Sequence, residues 1–102
     1  MISYNQDASG QKIRVNFYED ISSATAFTME LEPQNGDKLE KVPTLGTVDV
    51  VVGDEKFLAN QYVEHTTEAS EFTKVGLWRV KATATLASSV LATDWVKFRI
   101  MP

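Results

Sequence analysis

Cysteine is absent from this 102-residue chain, and that gap alone excludes disulfides, thiolate zinc sites and cysteine nucleophiles. Long apolar runs are missing too. The longest, VDVVVG at residues 48–53, falls far short of the roughly 20 residues of a membrane-spanning helix, so no membrane partner is expected. Positive charge never gathers into a block: ten Lys and Arg are scattered against fourteen Asp and Glu, for a net charge of −4. A surface that tracks phosphates needs clustered cations, so nucleic acid is not an expected partner. Also missing are a phosphate-cradling glycine loop, a nucleophile elbow, a His-Glu-x-x-His motif and an Asn-x-Ser/Thr acceptor. The opening MISYNQDASGQK has no basic start followed by an apolar segment. No signal peptide is therefore expected, and the chain is expected to begin at its own Met1 and to be made in a cytoplasm.

The residues with chemical potential are few. His65 is the single histidine and sits in a Thr-rich loop, whereas a general base needs a nucleophile and an orienting group close by. Asp49, Asp54 and Glu55 lack the dense spacing of a calcium loop and read as solvated turn acids, so no metal or cofactor is expected. Glu30 and Glu32 share a face and so could in principle pair as glycosidase carboxylates, but exposed strand faces carry such acids routinely. No enzymatic activity is expected.

What is present is a period of two. An apolar fraction of 43% and a charged fraction of 24% belong to an ordinary globular chain. Its length suits one domain over residues 1–102, able to bury about 65% of the unfolded surface. Ile13, Val15 and Phe17 alternate with Lys12, Arg14 and Asn16, and Phe27, Met29 and Leu31 alternate with Thr28, Glu30 and Glu32, each the pattern of a strand with one buried face. Asn35-Gly36 predicts a hairpin, because both residues tolerate positive φ. Val48, Val50 and Val52 form a further inward row, and GDEK turns the chain into residues 57–64, whose faces the pattern does not assign. Residues 68–72 are predicted to form one helical turn, with Thr67 as N-cap. Trp78, Val80, Ala82, Ala84 and Leu86 alternate most clearly of all, and after ASSV the chain returns with Val96, Phe98 and Ile100 inward. Six or seven antiparallel strands in about 100 residues read as an immunoglobulin-type two-sheet sandwich with one short helical turn, a small closed barrel being the alternative.

Parity sets Trp95 with Lys97 and Arg99 on the outward face. A Trp beside Arg is an anchor that protein interfaces favour, whereas the competing reading has Trp95 covering a sheet end or packing under the N-terminal arm. The polar segment Met1–Gln11, with isolated Ile2 and Tyr4, reads as an added edge strand in preference to an arm reaching a neighbouring copy. Trp95, Lys97, Arg99, Ile2 and Tyr4 are thus the expected partner contacts. In EDISSAT, Asp20 and Ser22 can accept backbone N–H bonds in a tight turn while Ile21 plugs the core.

EDISSATAFTMELEPQNG, followed by FTKVGLWRVKATATL, resembles a group of small immunoglobulin-like domains in tailed-phage virion proteins, the N-terminal domain of baseplate upper proteins among them. The matching elements are Asp20, Ile21, Ser22, Ala24 and Thr25, then Gly76 and Trp78, then the paired stretches 77–86 and 95–100. The resemblance implies a non-enzymatic virion protein, assembled in a host cytoplasm in many copies, with other virion proteins as partners and self-association as a further expectation. Baseplate proteins continue into a stalk where this chain stops at Pro102. The expectation is therefore a capsid decoration protein or a small head, neck or tail component. The alternative is a carbohydrate-binding or adhesion module with Trp95, Tyr62 and Tyr18 as stacking platforms.

Overall fold

In the computed structural model, which describes residues 2–102, the alternating stretches become strands. They are β1 (Ile2–Asn5), β2 (Lys12–Asn16), β3 (Ala26–Pro33), β4 (Leu39–Lys41), β5 (Thr44–Leu45), β6 (Val50–Val52), β7 (Glu55–Phe57), β8 (Tyr62–Thr66), β9 (Gly76–Thr85), β10 (Val90–Ala92) and β11 (Val96–Met101). The larger sheet runs β1-β11-β9-β3-β4, with β10 also on β9; the smaller runs β2-β8-β5; β6 and β7 form a separate hairpin. Every pairing is antiparallel except that of β1 with β11, which is parallel. The described sheets are open, not closed into a barrel.

One core lies between the two sheets. Ile13, Val15 and Val63 of the smaller sheet meet Met29, Leu31, Trp78, Val80, Ala82, Phe98 and Ile100 of the larger, all at most 3% exposed. Each buried Val, Leu, Ile, Met or Phe side chain among them contributes roughly 1.5–3 kcal/mol. Phe72 closes one end, edge-on to Trp78 at 5.0 Å and to Phe98 at 5.9 Å. Ile21 is fully buried in the EDISSAT turn, where Asp20 Oδ1 accepts the Ser22 N–H at 2.8 Å. Ser22 donates there and does not accept. Hydrogen bonding from the Ser22 hydroxyl, and next from this N–H, holds the Asp20 carboxyl below its ordinary value.

The Asn35-Gly36 hairpin joins β3 to β4, and Gly36 sits at φ 143. The β6–β7 turn places Gly53, at φ 59, first of its two central residues, the position glycine holds in a type II′ turn.

The predicted helical turn does not form, and the described residues contain no helix. Residues 68–71 make an isolated turn in which Glu71 Oε1 bends back to accept the Glu68 N–H at 2.7 Å. Thr67 is diverted from capping: its Oγ1 accepts the Gln11 N–H and donates to the Ala8 carbonyl. Phe72, buried against Trp78, then pulls the chain inward before a second turn can start. Two assigned inward positions also differ. Val48 is 63% exposed because its segment ends in the separate hairpin, and Val96 is 50% exposed because the sheets gape at that edge.

The last stretch divides in a way that uniform alternation hides. Thr93, Asp94 and Trp95 on one strand face only Lys81 and Ala82 on β9, a β-bulge between β10 and β11. Thr93 anchors it: its N–H donates to the Ala82 carbonyl at 2.9 Å, and its Oγ1 accepts the Ala82 N–H at 3.0 Å. The extra residue inverts parity, so that Leu91 and Phe98 both pack on the core while Trp95 is turned out.

Candidate functional site

Alternation also builds the outer face of the larger sheet. Lys97 and Arg99 turn away from Phe98 and Ile100, Arg79 and Lys81 from Trp78, Val80 and Ala82, and Glu30 and Glu32 from Met29 and Leu31. The register sets Lys97 opposite Arg79, Arg79 opposite Glu32, and Lys81 opposite Glu30. Arg79 binds Glu32 Oε1 through Nη2 at 2.6 Å and Nε at 2.7 Å, while Lys81 and Lys38 approach Glu30 at 3.7 Å and 3.2 Å. Hydrogen bonding to Glu30 raises the Lys38 amine above its ordinary range. Among the described residues Lys97 and Arg99 make no ion pair. The face therefore carries a neutralised central ladder and an uncompensated cationic strip on β11.

Trp95 stands beside that strip, half-buried. Arg79 Cζ lies 4.0 Å and Lys81 Nζ 4.9 Å from its ring centroid, so two cations of the neighbouring strand cover one indole. Trp95 thus lies on the outward face, with Arg79 and Lys81 of its own sheet occupying part of its ring. Arg79, Lys81 and Glu32 escape a reading of single residues. Shared outward parity is the signal for them; the strand order that brings them together is not in the pattern.

Tyr4 and Ile2 do not join this surface. The β1–β11 register turns Tyr4 inward, where its ring meets Phe98 edge-on at 5.7 Å and its hydroxyl donates to the Lys12 carbonyl at 3.0 Å. Burial raises the Tyr4 phenol pKa, with Arg14 opposing. Ile2, 43% exposed, lies with Tyr4 along an open groove of about 890 Å³ between β2 and the β1–β11–β10 side of the larger sheet. Leu91, Val96, Phe17 and Phe57 contribute to its apolar lining. Tyr18 stands at its mouth, 72% exposed and at φ 60, with its N–H held by Asn16 Oδ1. A positive φ at an aromatic residue is a strained conformation.

The remaining polar candidates hold the chain together. His65 Nε2 lies 2.7 Å from Glu71 Oε2, and Lys41 approaches the same carboxylate at 3.9 Å, so the imidazole pins the 66–72 loop. Asp49 ties two loops by accepting the Ala59 N–H at 2.8 Å, a defined contact where a solvated acid was expected. Among the described residues no three His, Asp or Glu converge as a metal site. Tyr62 is 1% exposed, donates to the Val48 carbonyl, and packs so closely on Gly46 that a Cβ there would fall 2.0 Å from its ring. It offers no stacking platform. No family model, curated protein or solved structure matches the chain.

Proposed function

We propose that this chain is an immunoglobulin-like sandwich acting as a non-enzymatic structural protein of a tailed-phage virion, attached to a capsid or tail scaffold. The observation that carries the architecture is the strand order. A first strand parallel to the last, beside a β11-β9-β3-β4 sheet that faces β2-β8-β5, supports an immunoglobulin reading with an extended larger sheet. The virion role rests on the resemblance of EDISSAT and the closing strands to phage domains, and the buried Ile21 and bonded Asp20 support reading that motif as a structural turn.

Lys97 and Arg99, with Trp95 beside them, form the attachment surface in this reading. Unpaired cations next to a partly desolvated indole suit an acidic, hydrogen-bonding partner face. Mass spectrometry of purified particles tests the role, and absence of the chain from the particle sinks it. Copy number measured against the major capsid protein separates capsid decoration from a neck or tail ring.

A further inference from the structure

We propose that the groove between β2 and the β1–β11–β10 side of the larger sheet receives an extended, basic and apolar segment of a partner protein, added as a strand along β2. Three independent features of the groove converge on that occupant. The first is an unused backbone edge. β2 is the outer strand of its sheet, and bonds at Phe17 to Gln61 and Thr67 to Gln11 fix the odd-numbered residues as those bonded to β8. Arg14 and Asn16 therefore aim their backbone groups outward. Among the described residues only the Lys12 carbonyl on that edge is taken, by Tyr4. An edge of this kind accepts a strand by main-chain bonding.

The second feature is the floor. Val96 and Ile2 have the parity of core residues yet remain 50% and 43% exposed, so alternate apolar side chains of an added strand would complete their burial. The volume of about 890 Å³ lies within the about 300–1,000 Å³ span of ligand clefts.

The third is charge. Glu19, Asp54, Glu55 and Asp94 line the groove and make no ion pair among the described residues, whereas its cation Arg14 is already bound to Glu64 at 3.2 Å, leaving only Lys97 against them. Lysine or arginine in the incoming segment would answer those carboxylates. A second copy of this chain, with net charge −4, would not.

The test uses two blocked octapeptides, KVTVKVTV and EVTVEVTV, titrated into the isotope-labelled full chain and followed by amide NMR. The basic peptide is expected to shift Arg14, Asn16 and Val96 and to slow exchange of the Arg14 amide, with the acidic peptide binding about tenfold more weakly through lost rim pairs. Val96→Lys, at an exposed floor position, and Arg14→Pro, whose lost N–H faces outward, should each abolish binding while keeping a cooperative melt. Absence of binding by the basic peptide, equal binding of both peptides, or shifts confined to Lys97 and Arg99 would overturn the proposal. The assay needs no virion, so its outcome is separate from that of the particle analysis.

Discussion

The two tryptophans mark the two faces of one sheet, and they live differently. Trp78 on β9 is 3% exposed, edge-on to Phe72, stacked 6.0 Å from Phe98, and donates its indole N–H to the Lys74 carbonyl at 2.9 Å. Trp95, next to β11, lies half-buried beneath Arg79 and Lys81 on the outer face. The inner indole is held by shape and dehydration, which do not depend on salt. The outer one is held by cations that also serve Glu32 and Glu30, and it stays within reach of a partner.

The largest expected effect is on the inner face. Trp78→Ala should destabilise by about 3–5 kcal/mol in denaturant melts, because a cavity opens among Phe72 and Phe98 and nothing can relax into it. The bulge that keeps the faces distinct comes next. Thr93→Val removes the acceptor for the Ala82 N–H and should cost about 1–3 kcal/mol, with amide shifts concentrated at residues 81–82 and 93–96. Trp95→Ala should cost only about 1 kcal/mol, the scale of a partly exposed cation–π contact, with a cooperative melt retained. A non-cooperative melt would place Trp95 in the core and erase the contrast.

Lys97→Glu with Arg99→Glu should change stability by less than about 0.5 kcal/mol, since neither residue has an ion pair among the described residues, yet abolish co-sedimentation with the particle. The smallest effect belongs to the EDISSAT turn. Asp20 has a folded pKa below its ordinary 3.8, so its contribution is complete above that value and is lost as pH falls through the lower folded one. An NMR titration of the Ser22 amide should show the turn loosening only in that acid range.

Much of this was legible in the residues. Val80, Ala82 and Ala84 have the inward rhythm that the structure shows, Asn35-Gly36 marks its hairpin, and the polar N-terminal arm with Tyr4 reads as the edge strand it becomes. Thr67 was misread because its helix-start pattern is local, while the bonds that claim it come from Ala8 and Gln11, distant in sequence. Val96 was misread because parity gives a direction and cannot tell whether the facing layer reaches that far. Of the five expected contacts, Trp95, Lys97 and Arg99 share a face, whereas parallel pairing of β1 turns Tyr4 inward.

The sequence by itself determined the main strands, the inward rows of β2, β3 and β9, two hairpin turns and the lack of thiol chemistry, because these follow from side-chain period, backbone freedom and composition. Tertiary structure alone decided the bulge at Thr93, the cations over Trp95, and the open groove beside β2. Each depends on which strands become neighbours, and that is settled by burying one core, not by any local preference.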